Sequence, residues 1–509
     1  MKICSWLIPF IAGILLVEGC TPENTHTPIT NVVVLVGDDH SNRAVGCYGN
    51  DIIRTPNIDR LADDGIRFNR AYANAPVCSA SRQSLLTGKY PHATGVTLLT
   101  TPFRDDINTT IAEHLRARGY ATGIVGKTHF NNYRDPQPPD HGFQTMVSHH
   151  DYRQWLNEQD MEPIPDSLET LGKWRPFKDS ARVWLNAGML PTPVREEFGS
   201  AAFDANRAIE FLESHRKDSF FLWVGFHEPH SPFNFPVEYT GKYNPDEMPL
   251  PEGSEEDDRF IPRIFRGLTP AEKRGIIASY YTSTEYMDHN VGRILDAVDR
   301  LGLTSNTLVV YLGDQGYLLG DHKRFEKHMM WDPAIQAPLI FRVGDRKPYV
   351  KASSALVQFI DVVPTILDVI GVDPLESVQG HSLEPLFHNR RDSGNPYVFA
   401  EFLVDNKAMV TDGKWKYIYT TGKRDLGQGY ATGYGPTGVL HRLYDLDNDP
   451  EETTNVADLP GNEEILAHLQ QQMLRIFRET HPDAASIPDT LDTEQKLEWF
   501  CEPREKQPG

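Results

Sequence analysis

The run Asn31-Val32-Val33-Val34-Leu35-Val36 constrains the chain more than any other stretch. It is apolar and mostly β-branched, with no polar alternation. It therefore reads as a strand covered on both faces, the habit of parallel sheets packed between helices. Gly37-Asp38-Asp39 follows directly, so two carboxylates stand at the carboxyl end of a strand, where open α/β sheets bind ligands. Further buried strands are expected at residues 121–125, 220–224, 307–312 and 338–342, and helices at 55–65, 111–118 and 270–301, the last with breaks allowed. Asp361-Val362-Val363-Pro364-Thr365 reads as a helix start. Strands alternating with helices predict an α/β core.

From about residue 390 the text changes. Short strands at 397–400, 408–410, 415–419 and 441–446, separated by Gly, Asp and Asn turns, predict an antiparallel sheet, with a helix over 463–478 on one face. Residues 427–438 read as a glycine-rich loop, and residues 131–193 as the longest loop-bearing insertion, facing substrate. A length of 509 residues exceeds one ordinary domain. The expected division is a signal at 1–20, a linker at 21–30, a catalytic domain at 31–389 and an α+β subdomain at 390–509. A net charge of −21 supplies no basic field, so nucleic acid is not an expected partner.

The first residues are a different kind of text. Lys2 precedes an apolar stretch at 6–17 that is too short to span a membrane, and a polar segment follows, which reads as an export signal. Its ending, Leu16-Val17-Glu18-Gly19-Cys20, resembles a bacterial lipoprotein signal. The resemblance implies lipid on Cys20, a lipid-anchored membrane association, and a place in the periplasm or at the outer-membrane or cell surface; secretion is the other expectation. Beyond it only Cys47, Cys78 and Cys501 remain, too few for a disulfide framework. Stability must come from an apolar core, which a chain this long can bury.

The strongest local signal is Cys78-Ser79-Ala80-Ser81-Arg82-Gln83-Ser84-Leu85-Leu86-Thr87-Gly88, which opens as a helix start. A cysteine at a helix N-terminus beside an arginine has reason for a lowered pKa. From the residues alone, a thiolate nucleophile, a buried structural cysteine and a ligand or modified residue all stay open. Asp38 and Asp39 after one strand, with Asp314 and Gln315 after another, are hard oxygen donors. Together with the residue 78 side chain they suit Ca²⁺, and Mg²⁺ less readily.

The 78–88 segment resembles the signature of the type I, formylglycine-dependent sulfatases of the alkaline-phosphatase-like superfamily, with Ala80 where proline is usual. Five separated motifs in order extend the resemblance over most of residues 31–455, nearer to iduronate-2-sulfatase-like and bacterial polysaccharide sulfatases than to simple arylsulfatases. It implies an alkaline-phosphatase-like mixed, mostly parallel sheet flanked by helices, with a smaller C-terminal antiparallel sheet. It also implies a sulfuric ester hydrolase in which a maturation enzyme oxidises Cys78 to 3-oxoalanine (formylglycine), whose hydrate is the nucleophile.

The remaining motifs take roles by the same resemblance. Gly126-Lys127-Thr128-His129 resembles the family's Gly-Lys-x-His, with Lys127 binding sulfate or the hydrate and His129 taking a proton from the hydrate. In His227-Glu228-Pro229-His230, His230 matches the histidine that protonates the leaving oxygen, and His227 faces the sugar. Lys327 matches the lysine that contacts sulfate and the leaving group, and Arg82 holds the formylglycine. Gln315 stands where His or Asn is usual. Arg82, Lys127 and Lys327 together predict a locally basic pocket inside an acidic protein. Taken singly, each of these residues has an ordinary reading as a turn, a cap or a solvated charge. Leu443 and the turn residues after it resemble the family's tail motif.

The expected substrate is a sulfated carbohydrate, a glycosaminoglycan or algal polysaccharide fragment. Its determinants are sought in His149, His150, Tyr152 and Arg153, or in residues 234–266. Two other readings remain: a phosphonate monoester or phosphodiester hydrolase of the same superfamily, and a non-enzymatic glycan-binding lipoprotein.

Overall fold

The computed structural model describes residues 27–132, 139–175, 179–259, 261–388, 394–421 and 438–505. The export signal, Cys20 and most of the glycine-rich loop lie outside them. Among the described residues, no helix is long and apolar enough to cross a membrane.

Strands β1 (Asn31–Gly37), β2 (Ile66–Tyr72), β3 (Ala121–Gly126) and β4 (Thr145–Ser148) precede β5 (Phe220–Gly225), β6 (Thr307–Gly313), β7 (Leu339–Val343) and β8 (Ala352–Gln358). They form one sheet in the order β4-β3-β5-β1-β6-β7-β2-β8. Only β7 runs against its neighbours, β6 and β2. The other pairings are parallel. The fold is the mixed, mostly parallel α/β sheet expected.

The reason is visible in β1, all of which is buried. Val32, Val34 and Val36 enter one core, while Val33 and Leu35 enter the core on the opposite face. A strand without a polar side needs helices on both faces, and has them. Helices Cys78–Thr87, Ile111–Arg116 and Val362–Val369 cover the first face. Pro56–Asp64, Ser200–Ser214 and Pro270–Arg300 cover the second. The last is unbroken over 31 residues, started by a Thr269–Glu272 capping box with Pro270 at its first position. Helix Ile111–Arg116 has the same kind of start, from Thr110 and Glu113, and ends two residues before the predicted stop.

Three strands and several helices were not legible as such. β2 alternates apolar with Arg and Asn, β4 has four residues and β8 begins exposed, so none reads as a buried run. Helices Ser200–Ser214 and Thr493–Phe500 are among the unread helices. The 131–193 insertion is structured where described: it carries β4, helix His149–Asn157 and the turn of helix Ala181–Trp184.

Strands β9 (Val398–Phe402), β10 (Lys407–Thr411), β11 (Trp415–Thr420) and β12 (Leu440–Asp445) form the antiparallel second sheet. Helix Glu463–Thr480 packs on one face through Leu469, Met473 and Phe477. The other face reaches back to the main sheet: Val398, Phe402 and Met409 share a core with Val77, Ala80 and Trp331. His328 stacks on Phe402 at 5.0 Å, and the Trp331 indole donates to Tyr444 at 3.2 Å. Lys416, fully buried, bridges Asp332 at 2.6 Å and Glu452 at 2.7 Å. The second sheet therefore grips the 328–332 segment next to Lys327. The three described cysteines outside the signal are all free thiols.

Candidate active site

Neighbouring strands β3, β5, β1 and β6 each end on glycine, and the four glycines lie within one residue of the same level. Gly37 pairs with Gly313, and Gly225 with Val36 and Gly126. Side chains are excluded there by the chain itself. A Cβ on Gly126, whose φ is +83°, would lie 2.2 Å from the Gly225 carbonyl oxygen, and one on Gly225 would lie 2.4 Å from that of Lys127 and 2.7 Å from Arg82 Nη1. We expect Gly225→Ala to cost about 1–3 kcal/mol and to depress turnover, because the nearest obstacle is backbone. Thermal melting beside an activity assay checks this, and wild-type values in both would contradict it.

The residues after these glycines make the site. Asp38 and Asp39 follow β1, Asp314 and Gln315 follow β6, Lys127 follows β3, and His227 to His230 follow β5. Asp39 and His129 both hold φ of +60°, an uncommon conformation for residues other than glycine, and such strain gathers at functional sites. Helix Cys78–Thr87 brings its first turn to the same point, fully buried. Ser81 fastens that turn by donating its hydroxyl to the Asp314 carbonyl.

Three cations pair with three carboxylates. Lys127 Nζ meets Asp38 Oδ2, Lys327 Nζ meets Asp39 Oδ1 at 2.5 Å, and Arg82 Nε donates to Asp314 Oδ2 at 2.8 Å. Lys327 Nζ also lies 3.6 Å from Cys78 Sγ. Gln315 donates its amide to Asp39 Oδ1. Burial alone would raise the Asp38 carboxyl, but Lys127, His230, Arg82 and Lys327 outweigh it and hold it well below the usual range. Burial dominates at Asp39, which is raised against the pull of Lys327. His230 donates from Nδ1 to the Ser231 carbonyl at 2.8 Å, since a carbonyl can only accept. Its Nε2 is thereby left as the basic nitrogen, 3.6 Å from Asp39 Oδ2. Burial, then Lys127, keeps His129 neutral, and burial takes His227 down to about 3.

The donor set fits a hard cation. Oxygens of Asp38, Asp39 and Asp314 lie within 4.8 Å of one another, all three residues buried. Asp38 Oδ1 and Gln315 Oε1 are buried without a hydrogen-bond partner, a state that a cation would relieve. The structure thus gathers Cys78, Arg82, Lys127, His129, His227, His230, Lys327, Asp38, Asp39, Asp314 and Gln315 about one centre.

Two expectations change. Burial raises the Cys78 thiol, and Lys127 and Lys327 only moderate that, so the lowered pKa expected from its helix position does not occur. The protein's own charges also do not make the pocket basic, because each of its three cations is matched by a carboxylate. His149, Tyr152 and Arg153 line a cavity of about 760 Å³ next to Lys127 and His129. Asp204, from helix Ser200–Ser214, lines it too and went unremarked in the sequence. A lone carboxylate within Ala201-Ala202-Phe203-Asp204-Ala205 was the available signal.

Comparison with known proteins agrees with this geometry. Residues 30–372 match the family model described as Sulfatase, and residues 320–479 match that of the N-sulphoglucosamine sulphohydrolase C-terminal region. An N-acetylglucosamine-6-O-sulfatase of Bacteroides thetaiotaomicron is 26% identical, over 94% of this chain and 92% of its own. Human iduronate 2-sulfatase is 29% identical, over 67% of this chain and 64% of its own. The solved structure of a phosphonate monoester hydrolase of Agrobacterium radiobacter superposes with a TM-score of 0.73 at 21% identity, covering 92% of this chain and 98% of that one, a likeness of fold. With the family model spanning most of the chain and the motif residues meeting at one sheet edge, this chain belongs to the sulfatase family of hydrolases.

Proposed function

We propose that the protein removes sulfate from a sulfated carbohydrate, with Cys78 matured to formylglycine and Ca²⁺ held by Asp38, Asp39, Asp314 and Gln315. The observation that carries this is the meeting of Cys78, three carboxylates and three cationic side chains at the ends of β1, β3 and β6. Matured, residue 78 would supply a hydrated aldehyde as the nucleophile toward sulfur, with the sugar alcohol as leaving group. Ca²⁺ supplies polarisation of a sulfate oxygen, and its two charges turn a balanced pocket into a positive one.

The chain's own residues do the rest. Lys127 and Lys327 hold their ammonium groups at the site on Asp38 and Asp39, and are assigned to the sulfate oxygens. Arg82 fixes Asp314 and, through Nη1, the Lys127 carbonyl at 2.8 Å. His129, held neutral, accepts a proton from the hydrate. His230 meets the leaving oxygen from the β5 side, where His227 faces the sugar. Relatives named for glucosamine and iduronate sulfates support a saccharide substrate. The signal segment supports export, with a lipid on Cys20 and a periplasmic or surface location, after encounter with a maturation enzyme.

The test is a panel on protein whose residue 78 aldehyde is verified by peptide mass spectrometry. It comprises 4-nitrophenyl sulfate, sulfated glucosamine and uronate disaccharides, algal oligosaccharides, a phosphonate monoester and a phosphodiester. Sulfated saccharides should have the highest kcat/KM. A phosphonate or phosphodiester turned over faster than every sulfate, or no turnover at all, would overturn the proposal.

A further inference from the structure

The cavity beside Lys127 has one wall from helix Ser200–Ser214, and that wall carries Asp204. Asp204 is only 4% exposed and stands on a helix face of Ala201, Ala202, Ala205 and Ala208. Its carboxyl has no hydrogen-bond partner among the described residues. The carboxyl lines the cavity, where a ligand can reach it. The neighbouring hydroxyls are already used: Ser200 donates to Glu228, and Tyr152 to the Phe198 carbonyl at 3.0 Å. Asp204 Oδ2 also lies close to Gly126, the residue before Lys127, since a Cβ there would come within 2.9 Å of it. The group therefore borders the cavity on the side of Gly126 and Lys127.

We infer that Asp204 is a specificity residue that hydrogen-bonds a free hydroxyl of the sugar next to the carbon bearing the sulfate ester. The inference deepens the proposed saccharide sulfatase activity and rests on it. The chemistry selects a hydroxyl over an ammonium group. Burial, then the Glu228 carboxylate, push the Asp204 carboxyl well above its ordinary value. A neutral carboxylic acid both donates and accepts, as an alcohol does, whereas an ammonium ligand would need the charged form. The imidazoles of His149 and His227, stacked at 5.8 Å, form a second polar wall that can meet the rest of the ring.

The experiment compares kcat/KM on whichever sugar sulfate of the panel the wild type hydrolyses with kcat/KM on 4-nitrophenyl sulfate, which has no vicinal hydroxyl. Asp204→Ala should lower the sugar-to-aryl ratio by about 10- to 100-fold, the loss expected when a buried hydrogen bond goes unmade. Asp204→Asn, which still donates and accepts, should keep that ratio within a few-fold of wild type. The wild type should itself lose about 10- to 100-fold on the same sugar sulfate with its neighbouring hydroxyl replaced by hydrogen. An unchanged ratio in Asp204→Ala, or equal turnover of the deoxy substrate, would overturn the inference while aryl sulfatase activity stands. Asn failing as badly as Ala would overturn it in favour of a charged carboxylate. Absence of wild-type sulfatase activity would instead count against the proposed function.

Discussion

Cys78→Ala is expected to reduce sulfate-ester turnover by at least about 10⁴-fold, because it removes the nucleophile and leaves only the binding groups. The loss should not come from unfolding. Residue 78 sits in the first turn of a helix whose buried contacts come from Ala80, Leu85 and Leu86, and a cysteine-to-alanine change removes one atom. The melting temperature should stay within a few degrees of wild type. Cys78→Ser should behave alike where the host leaves serine unconverted. Peptide mass spectrometry on the wild type reads the aldehyde directly. Full turnover from protein without any formylglycine would remove the basis of the mechanism.

Asp314→Ala is expected to fail differently, in stability and activity together. Its Oδ2 is the partner of Arg82 Nε, and its Oδ1 accepts the backbone N–H of Asp39 at 2.9 Å and of Gln315 at 3.0 Å. Arg82 is 1% exposed, and its Nη2 already lacks a hydrogen bond. Stranding that guanidinium should cost about 3–5 kcal/mol. The same change removes one of three clustered carboxylates, so retained calcium should fall below one equivalent and turnover should drop about 10³-fold. Elemental analysis of the purified protein and a denaturant titration measure the two effects separately. Chelation of the wild type gives the contrast: turnover lost, but a fold that survives, because each carboxylate keeps its cation. A variant with wild-type calcium content and full activity would sink the assignment of Asp314.

How much of this could be read in the sequence follows from the physics of each element. β1, β5 and β6 were legible because strands buried on both faces need uninterrupted apolar runs. β2 and β8 were not, since each offers alternating polarity that a single chain read alone cannot distinguish from a loop, and each is completed by pairing with a strand nearly 300 residues away: Tyr72 lies opposite Gln358. The site residues were legible because they stand in recognisable motifs, most of them directly after glycine-ended strands. Their charge state was not. The roles that the family resemblance gave Arg82, Lys127 and Lys327 implied a basic pocket, and only their pairing with specific carboxylates shows the balance. Asp204 escaped for a simpler reason: nothing along the chain says that its helix borders a cavity.

The burial of Cys78 also sets a clock. The residue is 2% exposed, and its helix is tied to Asp314, whose carbonyl accepts from Ser81 across 233 residues of sequence. The proposed oxidation of Cys78 would therefore require the maturation enzyme to meet the segment before that contact closes. At roughly 5–20 residues per second, β6 is synthesised ~10–50 s after the cysteine appears. That interval is the least time available. Lengthening it, by slowed translation between the two segments or by delayed folding, should raise the fraction of active molecules, and no treatment of the finished protein should recover those that missed it.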